Sequence, residues 1–100
     1  MVMEFGALDA ALAAAAGEDI ALIAELRAAF VESATKQVYL LERSRCDGNW
    51  RISALRLRGL SASFHAEKLM QLADEALEAA PGEPTVIRSM RKFLEEFSAD

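Results

Sequence analysis

The chain has 100 residues, of which 53% are hydrophobic and 27% are charged. This length allows a single domain with one core, and the hydrophobic content excludes intrinsic disorder. Alanine, leucine, glutamate and arginine dominate the composition, which favours an all-α fold for one domain over residues 1–100. The net charge of −5 argues against nucleic-acid binding, because a phosphate-binding surface needs a surplus of lysine and arginine.

The cysteine count and the apolar runs indicate where the protein resides. Cys46 is the only cysteine, which excludes a disulfide within the chain and a cysteine-based zinc site. A reduced thiol fits an intracellular setting. The chain starts without a signal-peptide pattern, and its longest apolar run, residues 10–16, is too short to span a bilayer. We therefore expect a cytoplasmic protein without a membrane partner, a cofactor or a metal.

Apolar periodicity predicts two helices in the first half of the chain. The first runs from about Phe5 to Ala16, with Leu8 and Leu12 on one face. The second begins at residues 18–19, where acidic side chains suit the positive end of the helix dipole, and ends within residues 43–45. Its predicted core residues are Ile23, Phe30, Ala34, Val38 and Leu41, with a flanking apolar stripe of Leu22 and Leu26.

Three further helices follow, each after a turn. The third runs from about Trp50 to Ala62, with Asp47 and Asn49 as candidate N-caps. The fourth runs from about His65 to Ala79, and the fifth begins at Pro84. The predicted core residues are Trp50, Ala54, Leu57, Leu60 and Ser61 in the third helix, with Phe64 just beyond its end on the same side; Leu69, Met70, Ala73, Ala76 and Leu77 in the fourth; and Val86, Ile87, Met90, Phe93, Leu94 and Phe97 in the fifth.

The connections between these helices are short, so successive helices are expected to be antiparallel neighbours. The sequence therefore predicts an up-down antiparallel four-helix bundle with a short additional N-terminal helix.

The third helix carries unusual residues on the side away from its predicted core. A helical projection places Arg51, Ile52, Leu55, Arg58, Gly59 and Ala62 on that side. An exposed apolar spot with a basic rim is typical of a docking site. Glycine within a helix costs about 1 kcal/mol relative to alanine, and close approach of another backbone or of a phosphate would explain Gly59. Together with Arg56, these residues form the predicted partner-binding set.

Charge distinguishes the same region from the rest of the chain. Between Arg43 and Ala66 there are five arginines and a single acid, Asp47, whereas the remainder is strongly acidic. A basic surface on an acidic protein favours an acidic partner surface. The alternative interpretation is that these arginines are solvated and unpaired. Another charged run, formed by Asp74, Glu75 and Glu78, is interpreted as a solvated helix face.

This region resembles the histidine phosphotransfer (HPt) family, a four-helix module that passes phosphoryl groups between receiver domains. The family carries a small residue, the acceptor histidine, any residue, a leucine, a basic residue and a glycine. A glycine-alanine pair follows, and then a leucine in the next helix. The residues that match in order are Ala54, Leu57, Arg58, Gly59, Ala66 and Leu69. The turn at residues 47–50 and the long second helix match as well, so the resemblance covers roughly residues 8–97.

The chain departs from the family at the decisive position. Leu55 stands where the family has its acceptor histidine, and an alkyl side chain can neither accept nor relay phosphate. His65 also replaces the glycine that usually precedes the alanine. What the resemblance still implies is docking: Arg58 would balance phosphoryl charge, and Gly59 would allow close approach. The implied partner is a response-regulator receiver domain or a sensor histidine kinase, which the chain would inhibit or scaffold.

Two other hypotheses remain open from the sequence. The chain would be an active phosphotransfer protein if His65, its only histidine, accepted phosphate, or if the natural residue at position 55 were histidine and Leu55 an engineered change. The conservative interpretation of His65 is a residue at a helix start or helix junction, and one histidine cannot hold zinc. The other hypothesis is an unrelated helical adaptor or dimerisation domain, with its partner on the fourth and fifth helices.

Overall fold

The fold of the chain is all-helical in the computed structural model, which describes residues 6–17 and 19–99. The five helices are α1 (Gly6–Ala16), α2 (Ile20–Arg43), α3 (Asp47–Ser63), α4 (Glu67–Glu78) and α5 (Pro84–Ala99). The predicted all-α class is confirmed. Phe5, where the first helix was expected to begin, and Glu18, at the predicted start of the second, lie outside the described residues.

The helix ends show which local signals operate. Asp19 is the N-cap of α2, and its side chain accepts a hydrogen bond from the Leu22 amide at 3.0 Å. The prediction that Asp47 or Asn49 caps α3 is wrong. Cys46 occupies the N-cap position without a side-chain hydrogen bond. Asp47 lies in the first turn, where its carboxylate interacts favourably with the positive end of the helix dipole. The helix α3 therefore begins three residues before the predicted start at Trp50.

The core draws residues from all five helices. The helix α2 contacts α1, α3 and α5, while α4 contacts α3 and α5. All six predicted core residues of α5 are buried, and Leu8 and Leu12 bury the inner face of α1. Of the two residues on the predicted flanking stripe, Leu26 is half-buried against the core, whereas Leu22 is 37% exposed. Leu72 is a buried residue of α4 that the predicted set lacked.

Arg27 joins three helices at one end of the molecule. One terminal nitrogen donates to Asp9 Oδ1 of α1 at 3.1 Å, and the other donates to the Phe97 carbonyl of α5 at 2.9 Å. Its guanidinium also lies over the Phe97 ring, 3.9 Å from the ring centre, which adds a cation–π contact. These contacts join α1 to α2 and α2 to α5. None of the helices in the described residues is long and apolar enough to cross a membrane.

Candidate docking face on α3

The candidate site is one exposed side of α3, which we call the α3 face. It consists of Arg51, Ile52, Leu55, Arg56, Arg58, Gly59 and Ala62. All seven residues are exposed, so the structure places the predicted set together on one helix and open to solvent. The apolar side chains at its centre, Ile52 and Leu55, are 48% and 44% exposed.

The opposite side of α3 fixes the direction in which the α3 face points. The buried residues there are Trp50, Ser53, Ala54, Leu57 and Ser61. Ser61 is fully buried, and its hydroxyl donates to the Leu57 carbonyl at 2.7 Å, so this buried polar group is satisfied within the helix. Because this side is anchored in the core, rotation of α3 about its axis would bury the arginines and is strongly disfavoured.

Gly59 has no packing reason to be glycine in the described part of the chain. A Cβ atom added at this position would meet no heavy atom within 4 Å. The glycine lies inside α3, where it costs about 1 kcal/mol relative to alanine. Its carbonyl accepts a hydrogen bond from Ser63 Oγ at 3.0 Å, which an alanine would leave in place. Because Gly59 has no side chain, the surface beside Leu55 is open to solvent, and the glycine lowers the stability of the helix.

Arg58 forms an ion pair with α4. Its Nε donates to Asp74 Oδ1 at 2.6 Å, and the two side chains are 45% and 46% exposed. This contact corrects two interpretations of the sequence: Arg58 is not an unpaired solvated arginine, and Asp74 is not only part of a solvated acidic run. The pair joins α3 to α4 directly beside the α3 face.

His65 lies in the C-terminal cap of α3 and not at the start of α4, which begins at Glu67. Its φ of 57° is in the left-handed region, which few non-glycine residues adopt. The His65 amide donates to the Ala62 carbonyl at 3.2 Å, and the Ala66 amide donates to the Ser61 carbonyl at 2.8 Å. These two hydrogen bonds form a Schellman motif, in which glycine usually takes the position of His65.

The position of His65 separates it from the α3 face. At a rise of 1.5 Å per residue, His65 lies about 15 Å beyond Leu55 along the axis of α3. Its imidazole is exposed, so it is accessible to solvent, but it does not stand beside Arg58 and Gly59 as a residue at position 55 does. The conservative interpretation of His65 as a helix-junction residue therefore agrees with its backbone conformation.

The chemistry of the α3 face follows from its side chains. Its side chains offer cations and apolar surface, but Leu55 supplies no nucleophile. Among the described residues no group of three or more histidine, cysteine, aspartate or glutamate side chains could hold a metal ion. Comparisons of the chain with protein-family models, with curated proteins and with solved structures gave no match.

Proposed function

We propose that the chain is an HPt-like signalling module, built as an up-down four-helix bundle, that binds a partner through the α3 face without carrying phosphate. The partner is a response-regulator receiver domain of a cytoplasmic phosphorelay. The observation that carries this proposal is the pairing of exposed Leu55 with Gly59, one helical turn further on, where space is open beyond the Cα atom.

The small contribution of Leu55 to stability and the destabilising effect of Gly59 support a role for these residues other than maintaining the fold. An exposed leucine contributes less to stability than a buried one, and Gly59 weakens its helix without relieving any contact. Residues that lower stability without an internal reason are typical of functional surfaces. Isolated exposed leucines are common in proteins, but Ile52 lies beside Leu55 on the same face and enlarges the apolar centre.

The charges of the α3 face favour an acidic partner. Arg51, Arg56 and Arg58 surround the apolar centre, although the chain as a whole has a net charge of −5. This arrangement orients an acidic partner towards the α3 face during the encounter and repels it from the rest of the molecule. The binding rate should therefore fall as salt is added, because salt screens charges at the surface.

The consequence of docking without an acceptor is regulation. A receiver held on the α3 face is kept away from catalytically competent phosphotransfer proteins, so the chain inhibits the relay when it is in excess. When the chain is limiting, the same contact holds a receiver in place as a scaffold. Neither role requires a nucleophile at position 55.

The experiment is a binding survey against the receiver domains of the host organism. Leu55→Glu and Gly59→Glu should each weaken binding at least tenfold, because each places a bulky acid where an acidic partner approaches. Leu22→Glu is the matched control, since Leu22 is a leucine of similar exposure on α2, and it should leave affinity within twofold of the parent. The proposal fails if Leu55→Glu binds every receiver as tightly as the parent chain, or if the parent chain binds none.

A second experiment tests whether the docking geometry suits phosphotransfer. Leu55→His should accept acid-labile phosphate from a phosphorylated receiver, because the new imidazole would stand one turn before Arg58 and Gly59. The parent chain should remain unlabelled. Label on the parent chain that disappears in His65→Ala would replace this proposal with an active phosphotransfer protein.

A further inference from the structure

The ion pair between Arg58 and Asp74 gives the α3 face a selectivity that its arginines alone would not have. We infer that Asp74 is a specificity-determining residue: it weakens docking of uniformly acidic partner surfaces and favours partners that place a hydrogen-bond donor or a cation beside their carboxylate. This inference rests on the proposed function, because it concerns which acidic partner the α3 face selects.

The geometry of the pair leaves part of the Arg58 guanidinium available to bind a partner. Asp74 accepts from Nε at 2.6 Å, which is one of the five N–H groups of a guanidinium. The terminal amino groups are not used in that bond and can still bind a partner carboxylate. Any carboxylate that reaches them also comes close to Asp74, and like charges repel. The partner therefore meets a neighbouring positive and negative charge in place of a single cation.

Arg58 differs in this respect from the other two arginines of the α3 face. Within the described residues, no carboxylate forms an ion pair with Arg51 or Arg56. The attraction for acidic surfaces is therefore strongest near those two arginines and is reduced near Arg58. This uneven distribution of charge gives the α3 face a preferred orientation for its partner.

The place of Asp74 is fixed by the packing of α4. Its neighbour Ala73 is fully buried, and Ala76 and Leu72 bury the same side of the helix against the core. The carboxylate therefore stays beside α3. The pair itself is half exposed, and exposed ion pairs contribute little to stability. Removal of its charge should alter binding without unfolding the chain, which makes the inference testable.

The test compares two variants that remove the same charge from adjacent positions. Asp74→Asn removes the carboxylate that pairs with Arg58. Glu75→Gln removes an exposed carboxylate one residue further on, about 100° around the helix. Dissociation constants for the receiver domains are measured by calorimetry at low and at high salt. Asp74→Asn should tighten binding about 3- to 5-fold at low salt and reduce the differences between receivers, whereas Glu75→Gln should change affinity less than twofold.

A double-mutant cycle separates the pair from the general effect of charge. Arg58→Gln should weaken binding more in the Asp74→Asn background than in the parent chain, because Asp74 no longer neutralises Arg58 there. If Asp74→Asn binds no more tightly than Glu75→Gln, or if the cycle shows no coupling, the inference is overturned while the proposed function stands. If neither the parent chain nor Asp74→Asn binds any receiver, both are overturned.

Discussion

The indole nitrogen of Trp50 donates a hydrogen bond to the Ala76 carbonyl at 2.6 Å and so joins the first turn of α3 to the last turn of α4. The bond is buried, and the same carbonyl also accepts from the Ala79 amide at 3.1 Å, so the indole N–H finds its partner at the capped C-terminal end of α4. Trp50 therefore fills the core and satisfies its own indole N–H group. Its hydrogen bond also fixes the position of α3 relative to α4.

Replacement of Trp50 by phenylalanine should lower the free energy of unfolding by about 2 kcal/mol. The lost hydrogen bond accounts for about 1 kcal/mol, and the smaller ring adds a packing loss. Urea unfolding followed by circular dichroism measures the change, since the variant lacks the tryptophan fluorophore. Tyr39→Phe is the control, because Tyr39 is 51% exposed, and its effect should stay within 0.5 kcal/mol. A Trp50→Phe effect as small as the control would contradict a structural role for the indole nitrogen.

Substitution of Gly59 in the α3 face should increase stability, in contrast to substitution of Trp50. Gly59→Ala should raise the free energy of unfolding by about 1 kcal/mol, because the methyl group meets open space and the backbone is helical. Gly17→Ala should instead destabilise the chain, because Gly17 has a φ of 67°, which alanine adopts only with strain. Thermal unfolding of both variants beside the parent chain gives the comparison. Destabilisation by Gly59→Ala would mean that the helix at this point is not as open as described.

The sequence predicted the elements with strong periodicity and missed details that depend on packing between helices. In α5 the apolar residues recur at regular helical spacing, so burial of Val86, Met90, Phe93 and the rest followed directly from the pattern. Leu22 and Leu26 are also one helical turn apart, but Leu22 lies in the first turn of α2 and remains exposed. Periodicity predicts a face of a helix, whereas the neighbouring helices determine how far along that face burial extends.

The α3 face was predictable as a set of residues, but its electrostatics were not. A single helical projection is enough to place Leu55 and Gly59 together on the side away from Trp50. The pair of Arg58 with Asp74 joins residues 16 positions apart on different helices, so it depends on the relative position of α3 and α4. The conformation of His65 was also missed, although its place directly after the third helix, where glycine commonly stands, was a signal that could have predicted it.

The left-handed conformation of His65 predicts a stabilising substitution. His65→Gly should raise the free energy of unfolding by about 0.5–1 kcal/mol: relief of the left-handed strain gains about 1–2 kcal/mol, and the greater freedom of glycine in the unfolded chain offsets part of it. His65→Ala retains the strain and should not stabilise the chain. Denaturant unfolding of the two variants side by side measures the difference. Equal stability of the glycine and alanine variants would show that the cap does not hold this residue in the left-handed region.

The start of α5 supplies a pH-dependent contribution to stability. The Thr85 amide donates to Glu83 Oε1 at 3.0 Å, just after Pro84, which has no N–H group to donate. Hydrogen bonds from the backbone and then the side chain of Thr85 hold the pKa of Glu83 below its ordinary value against the opposing effect of desolvation, and attraction from Arg88 lowers the pKa further. The folded chain therefore favours the ionised carboxylate.

A lowered pKa in the folded state fixes the sign of the effect. The contribution of Glu83 is fully present above the ordinary glutamate pKa of about 4.3 and is lost as the pH falls through the lower pKa of the folded state. Glu83→Gln keeps an acceptor oxygen but does not titrate, so the parent chain should exceed it in stability at neutral pH, and the difference should shrink in acid. Unfolding curves across this range measure the difference, and an NMR titration of the Glu83 carboxyl carbon gives the pKa directly. A pKa at or above the ordinary value would show that the Thr85 hydrogen bonds do not stabilise the carboxylate in solution.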